Sequence, residues 1–289
     1  MPELPEVEVV KRSLETKILN LNIEKVKIND GKLRYKVNKT AISKLIGKKI
    51  IKIERRSKYL IFHCRKNLFM LVHLGMTGKF FFIDDKKRNF KTSFYYKLNL
   101  KKDKKHDRIV FFLQKNQKLI YNDIRKFGFI KFYNKDNLLK SLHLKRLGPE
   151  PLGKNWNLKY FKDYILNRSR NIKDILMDQK FVSGLGNIYV NEILFSSSIS
   201  PTRQVDKIKN FEMKKIIKNT KKILKNAIKL GGSSIKDFSS GNGKKGDFQQ
   251  HFKVYGKKGD CCSNIDCRSK IRQVTISNRS SFFCGNCQK

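Results

Sequence analysis

The chain changes character at Leu147-Gly148-Pro149-Glu150-Pro151-Leu152-Gly153, a stretch dense in proline and glycine. Residues of these two types interrupt helices and strands, so residues 147–153 are predicted to link two domains. The length of 289 residues also favours two domains. Outward from this linker, the two halves of the chain show different hydrophobic periods.

The half before the linker begins with a predicted helix at residues 3–19. Val7, Val10, Leu14 and Ile18 recur there at spacings of three and four, which gives one apolar stripe. From residue 22 to 135 the pattern becomes short alternating runs, which indicates a β-sandwich or barrel. A β-sandwich domain is predicted at 1–146, with a lysine-rich insertion at 84–108.

The half after the linker has helical periodicity. Residues 155–200 are predicted to be mainly helical, and residues 207–230 carry an apolar face that ends at Gly231-Gly232. A helical domain at 154–250 and a zinc ribbon at 251–289 follow. The predicted fold class is α+β, with an N-terminal helix and β-sandwich, then a helical domain and a C-terminal hairpin.

The last 29 residues hold five of the six cysteines. Their spacing is Cys262-x4-Cys267, sixteen residues, then Cys284-x2-Cys287. Two close pairs at this separation are typical of a zinc ribbon, with one pair at each end of a β-hairpin. Four thiolates leave no open position, so one structural Zn²⁺ is predicted. The alternatives are free surface thiols, and a spare Cys261 that competes with Cys262.

The composition is strongly basic. Lys and Arg number 66 against 24 Asp and Glu, which gives a formal charge of +42. This favours a polyanion partner, either nucleic acid or anionic lipid. Mutational drift in an AT-rich genome is the alternative source of the lysines. No apolar run approaches the ~18 residues of a membrane span, and the N-terminus lacks a secretory signal, so a cytoplasmic protein is expected.

The N-terminus carries a candidate nucleophile. Met1-Pro2 suits removal of the initiator methionine, which would expose Pro2 as a secondary amine. A neutral amine can attack an aldehyde-like carbon and give a cationic iminium. Glu3 and Glu6 lie beside it and could transfer protons. Alternatively, they only favour the start of a helix.

Six ordered motifs resemble the bacterial formamidopyrimidine-DNA glycosylase family. They are Pro2-Glu3-Leu4-Pro5-Glu6-Val7, Arg56-Ser57-Lys58-Tyr59-Leu60, His73-Leu74-Gly75-Met76-Thr77-Gly78, Asn122-Asp123-Ile124-Arg125-Lys126-Phe127-Gly128, Gly184-Leu185-Gly186-Asn187-Ile188-Tyr189, and the terminal Cys284-x2-Cys287-Gln288-Lys289. Residues 147–152 of the linker also resemble the corresponding motif of this family. The related endonuclease VIII branch ranks second, because it shares the Pro-Glu start but usually not its continuation.

The resemblance implies four catalytic residues. Pro2 would attack the anomeric carbon of the damaged nucleotide, and Glu3 would act as general acid. Lys58 would assist β-elimination, and Arg279 would support δ-elimination and clamp a phosphate. Without the motif, Lys58 would be taken for a solvated lysine.

The resemblance also implies a DNA surface. Met76, Arg125 and Phe127 match the residues that fill the gap left by an everted nucleotide, although core packing is an equal alternative for Met76 and Phe127. Phosphate contacts are implied for His106, Arg168, Lys173 and Asn187. Ile124 stands where the family often has proline, which should loosen that turn. Residues 233–250 would form a base-capping loop.

The function that follows from the resemblance is a bifunctional DNA glycosylase and abasic-site lyase for oxidised purines. Its partner is double-stranded damaged DNA, and it is expected to be a monomer without membrane contact. Two alternatives stay open. They are an endonuclease VIII-like enzyme for oxidised pyrimidines, and a non-catalytic zinc protein that binds DNA.

Overall fold

The structure is a computed structural model that describes residues 1–84, 89–91, 104–233 and 248–289. Most of the predicted insertion at 84–108 and of the predicted base-capping loop at 233–250 lies outside the described residues. Among the described residues, no helix combines the length and the apolar character that a membrane crossing requires.

The backbone divides into two compact units. Unit 1 comprises residues 1–145 and 230–249, and unit 2 comprises residues 146–229 and 250–289. The three predicted domain boundaries, after residues 146, 153 and 250, stay predictions.

Unit 1 begins with helix α1, Leu4–Ile18. The predicted apolar stripe is confirmed, since Val7, Val10, Leu14 and Ile18 are all buried. Pro5 lies in the first turn, where the missing amide hydrogen has no helical partner to lose. The helix therefore buries one face and places the chain start against the core.

Two antiparallel sheets form the β-sandwich of unit 1. One has the strand order β1-β7-β8-β5-β6 and the other has the order β2-β3-β4-β9. Their inner faces and α1 share one apolar core, which includes the buried Cys64. The strands are β1 Ile23–Ile28, β2 Ile50–Arg56, β3 Tyr59–Cys64, β4 Leu68–His73, β5 Lys79–Ile83, β6 Asn89–Lys91, β7 Asp107–Leu113, β8 Gln117–Asn122 and β9 Phe129–Tyr133. Two short helices accompany them, α2 Lys39–Ser43 and α3 Lys135–Lys140.

Unit 2 is helical, as predicted. Its helices are α4 Leu158–Ile165, α5 Ile172–Met177, α6 Asn187–Ser197 and α7 Asn210–Lys229. The long helix α7 packs its apolar face on α6, and Gly231 and Gly232 follow its end with φ of +82° and +85°. Positive φ is readily reached only by glycine, which explains why the helix ends there.

A two-stranded antiparallel hairpin ends the chain. Strand β10, Ile271–Ile276, pairs with β11, Arg279–Cys284. The turn residues Ser277 and Asn278 both have positive φ, as tight hairpins require. The cysteines pack in a small cluster with Phe195, Val254 and Ile271, so the hairpin is anchored on α6.

Candidate functional site

The start of unit 1 forms a buried polar cluster. Pro2, Glu3 and Glu6 are all buried, and the Glu3 amide donates to Glu6 Oε2 at 2.9 Å. This bond belongs to a capping box at the start of α1. Glu3 and Glu6 therefore stabilise the start of the helix, which agrees with the alternative given above for these two residues. Their hydrogen bonds also fix the backbone that follows Pro2.

Glu6 also holds the residue that enters the predicted base-capping loop. Its Oε1 accepts from the Ser233 amide at 2.8 Å and from the Ser233 hydroxyl at 2.9 Å. One buried carboxylate thus connects the chain start with a residue 227 positions away.

Lys58 lies in the tight turn between β2 and β3. Its side chain is only 6% exposed, so the alternative of a solvated lysine is wrong. The neighbouring Ser57 has a φ of +57°, and its carbonyl accepts from Arg55 Nη1 at 3.0 Å. Arg55 Nε in turn donates to Glu8 Oε2 on α1 at 2.9 Å. Burial acts to raise the pKa of Glu8, but the bonds from Arg55 and Arg12 leave it lowered. This chain of bonds ties the Lys58 turn to α1.

His73 belongs to the same cluster and was not singled out from the sequence. Its pKa is lowered to about 3, mainly by burial and then by nearby positive charges, of which Lys58 is the largest and the chain's amino terminus a smaller one. Its Nδ1 accepts from the Gly75 amide at 3.1 Å, so the proton of the neutral ring sits on Nε2. The ring stacks on Phe129 at 5.5 Å. Only its place in the motif at 73–78 marked it in the sequence.

Two loops of unit 1 present the predicted gap-filling residues. Met76 is 38% exposed and Phe127 is 44% exposed, so the alternative of core packing is wrong for both. The guanidinium of Arg125 lies 4.6 Å from the centre of the Phe127 ring. Large apolar side chains held at a surface by polar loops suit contact with nucleobases.

A buried network holds these two loops together. Asp123 accepts from the Thr77 hydroxyl at 2.5 Å and from the Gly128 amide at 2.8 Å. Thr77 accepts from the Arg125 amide at 3.0 Å. Arg108 Nε donates to the Asp123 carbonyl at 2.8 Å. These bonds fix the turn even though Ile124 replaces proline.

His106 lies at the edge of this network. Its carbonyl accepts from the Asp123 amide at 3.1 Å, and its Nδ1 lies 3.2 Å from Arg108 Nη2. Arg108 also bonds Asp30, which in turn pairs with Lys126 at 2.7 Å. The hydrogen-bonded ion pair with Lys126 lowers the pKa of Asp30. The phosphate contact of His106 stays a prediction.

Unit 2 gathers three of the predicted residues around strand β11. Arg279 is exposed and follows the hairpin turn. Lys173 and Asn187 both donate to the Ser280 carbonyl, at 3.1 and 2.9 Å, and Lys173 also bonds Ser281 Oγ at 2.5 Å. Burial is the main cause that lowers the pKa of Lys173 to about 8. Helices α5 and α6 are therefore hydrogen-bonded to the strand that carries Arg279.

Arg168 lies apart from that group, between α4 and α5. Its Nε donates to the Tyr164 carbonyl at 2.6 Å, and its guanidinium lies 4.5 Å from the centre of the Tyr164 ring. The side chain is exposed. Its phosphate contact stays a prediction.

Four cysteine sulfurs converge beside the hairpin and could hold a metal ion. The Sγ atoms of Cys262, Cys267, Cys284 and Cys287 lie within 4.8 Å of one another. Two of the distances are 3.8 Å, between Cys262 and Cys287, and 3.6 Å, between Cys267 and Cys284. A tetrahedral site with metal–sulfur bonds of about 2.3 Å needs sulfurs about 3.8 Å apart. The donor set therefore fits zinc, while Cys261 is exposed and outside the cluster.

Family models match most of the chain. The formamidopyrimidine-DNA glycosylase N-terminal domain matches residues 1–130, and the H2TH domain of the same family matches residues 147–239. The formamidopyrimidine-DNA glycosylase of Rickettsia bellii (strain OSU 85-389) is 39% identical over 289 residues, with both chains fully covered. That of Roseobacter denitrificans is 36% identical, also with full coverage of both.

Solved structures agree with this assignment. A mutant of the Lactococcus lactis protein bound to Fapy-dG-containing DNA has a TM-score of 0.86 and 33% identity, with both chains fully covered. The L. lactis Fpg with DNA containing an abasic site also has a TM-score of 0.86 and 33% identity, over 99% of each chain. The chain therefore belongs to the formamidopyrimidine-DNA glycosylase family.

Proposed function

We propose that this chain is a bifunctional DNA glycosylase and abasic-site lyase that excises oxidised purines, chiefly 8-oxoguanine and formamidopyrimidines, from duplex DNA. The observation that carries the proposal is the cluster of Pro2, Glu3, Lys58 and His73 in unit 1. Burial and the positive charge of Lys58 keep the His73 imidazole neutral there, and Glu3 and Glu6 are two buried carboxyl groups beside it. The L. lactis complexes with Fapy-dG and abasic DNA support the same substrate class.

Pro2 is the proposed nucleophile once Met1 is removed. Its nitrogen forms a bond to C1′ of the everted nucleotide while the bond from C1′ to the base breaks, and the base leaves with a proton. Glu3 protonates the sugar-ring oxygen as the ring opens, which leaves a cationic iminium. Loss of a proton from C2′ sends the electrons of that C–H bond into the iminium, and the enamine so formed expels the 3′ phosphate with its bonding electron pair, which completes β-elimination. Lys58 assists this step.

The remaining predicted residues hold the DNA. Arg279 binds phosphate with a planar fork of donors and supports δ-elimination. Lys173 and Asn187 fix the Ser280 backbone next to it, which adds a positioning task to their proposed phosphate contacts. His106 and Arg168 contact phosphates. Met76, Arg125 and Phe127 fill the gap in the duplex, for which their exposure suits them.

One Zn²⁺ is proposed for Cys262, Cys267, Cys284 and Cys287. When bound, it would link the two ends of a hairpin that is too small to fold unaided, and four thiolates leave no position for chemistry. The proposed enzyme acts as a monomer on chromosomal DNA, and hence in the bacterial cytoplasm.

Borohydride trapping tests the nucleophile. With an 8-oxoguanine duplex, the wild-type chain should give a covalent adduct at Pro2, and mass spectrometry should show an N-terminus without Met1. Pro2→Gly should lose most base excision and still bind the duplex. Pro5→Ala, in the first turn of α1, is the matched control and should keep the adduct. A fully active preparation that retains Met1 would falsify the assignment of Pro2.

Substrate competition separates the alternatives. Preference for thymine glycol over 8-oxoguanine would favour an enzyme for oxidised pyrimidines. A chain that binds both duplexes without adduct or excision would be a DNA-binding protein only.

A further inference from the structure

Helix α7 carries a continuous row of lysines on one face. The row consists of five exposed lysines, which we call the lysine stripe: Lys214, Lys218, Lys222, Lys225 and Lys229. Their spacings are four, four, three and four, which keeps all five within one narrow face of a helix with 3.6 residues per turn. At a rise of about 1.5 Å per residue, the stripe is about 22 Å long.

The opposite face of α7 is apolar and packed. Met213, Ile216, Leu224 and Ala227 are buried there, and α7 packs on α6. The packing fixes the rotation of the helix, so the stripe cannot turn away from solvent. Unit 2 therefore presents a straight, rigid line of ammonium groups.

Within the described part of the chain, the stripe has no acidic partners. Among the residues that the structure describes, none of the five ammonium groups lies within 4.0 Å of a carboxylate. The helix itself contains only one acidic residue, Glu212, and both of its carboxylate oxygens bond Arg203. The positive charge of the stripe is therefore not neutralised within unit 2.

Lysine-rich composition alone does not explain this arrangement. Helix α1 of the same chain balances its basic residues, because Lys11 pairs with Glu15 and Arg12 pairs with Glu8. In α7, by contrast, Lys214, Lys218 and Lys222 stand four residues apart, and like charges at that spacing destabilise a helix. A row that weakens its own helix is expected to serve a ligand.

We propose that the lysine stripe binds the phosphate backbone of undamaged duplex DNA. Ammonium groups bind phosphates as point charges without reading sequence, which suits contact with any DNA segment. Bound counterions are released from the DNA on contact, so the affinity depends steeply on salt. Nucleic acid is favoured over a lipid surface because only Phe211 joins the stripe as an exposed apolar side chain. The inference goes beyond the proposed function, since it concerns DNA without a lesion.

The test is the salt dependence of binding to an undamaged duplex of about 40 base pairs. A stripe variant, K218Q/K222Q/K225Q, keeps good helix formers at each position. The matched control is K39Q/K44Q/K135Q, three exposed lysines of unit 1 that remove the same charge. Each phosphate contact contributes about −0.9 to the slope of log affinity against log salt. The stripe variant should therefore make this negative slope shallower by roughly 2 to 3. The control variant should make the slope shallower by less than about 1.

Five results decide the matter. Replacement of the same three lysines by arginine should restore the slope, and excision from a short lesion duplex should stay near wild type in every variant. Equal slopes for the stripe variant and its control would overturn the proposal, because the stripe would then be a solvated face. Loss of binding to anionic vesicles with an unchanged DNA slope would assign the stripe to lipid instead. If the wild-type chain does not excise the lesion, that result would count against the proposed function and not against the stripe.

Discussion

The imidazole of His73 is held neutral by its surroundings. It is enclosed by Phe129 and Tyr59, and the positive charges of Lys58 and the amino terminus oppose its protonation. Its neutral Nδ1 accepts the Gly75 amide, which begins the loop that carries Met76. Protonation would therefore replace an acceptor by a donor at the base of this loop.

The His73 environment predicts acid sensitivity. Its pKa is about 3 in the folded chain and 6.5 when unperturbed, so the unfolded chain binds the extra proton first. Stability from this group is complete above pH 6.5 and is lost as the pH falls toward 3. Between pH 7 and about 4.5 the loss should reach roughly 2 to 3 kcal/mol. Urea unfolding of wild type and His73→Asn at both pH values measures it.

The Asn variant keeps an acceptor for Gly75 without the titration, so its stability should fall less between the two pH values. His251→Asn, at an exposed position, serves as the control and should behave like wild type. An identical pH dependence in wild type and His73→Asn would refute the assignment to His73.

Among the elements, helices and the cysteine hairpin follow from local sequence. Helix α1, helix α7 and the Cys262–Cys287 spacing were predicted because their periods extend over neighbouring residues. The sheet order β1-β7-β8-β5-β6 was not predicted, because it pairs strands that lie far apart in the chain. For the same reason, the sequence did not show that Lys173 and Asn187 share the Ser280 carbonyl.

The hairpin should depend on the proposed zinc ion. Cys284 is fully buried and its sulfur lies 3.6 Å from that of Cys267, so Cys284→Ser should remove one of four thiolates. We expect loss of the zinc ion, disorder of β10 and β11, and at least tenfold weaker DNA binding, because Arg279 would no longer be fixed. Zinc content by atomic absorption and duplex affinity measure this.

Cys261→Ser is the matched control. Its thiol is exposed and outside the cluster, so zinc and affinity should be unchanged. Full zinc content in Cys284→Ser, or its loss in Cys261→Ser, would show that Cys261 is a ligand after all.

For the whole molecule, the proposed catalytic residues were predictable only through motifs. Pro2 and Glu3 stand out by position, but the burial of Lys58 and the neutral state of His73 depend on the packing of α1 against the β2–β3 turn. The link from Glu6 to Ser233 spans 227 residues, and no local pattern marks it. These contacts arise only when distant segments of unit 1 meet.

That long-range link should be needed for both stability and excision. The Glu6 carboxylate accepts from the Glu3 amide and from the amide and hydroxyl of Ser233. Glu6→Gln replaces one acceptor oxygen by a donor amide and leaves at least one buried donor unsatisfied, at a cost of about 1 to 3 kcal/mol. Because Glu3 follows Pro2, single-turnover excision should fall further than duplex affinity. Glu15→Gln, which removes only the partly exposed pair with Lys11, should change neither quantity. Equal effects of the two substitutions would mean that Glu6 has no special role in joining the chain start to residue 233.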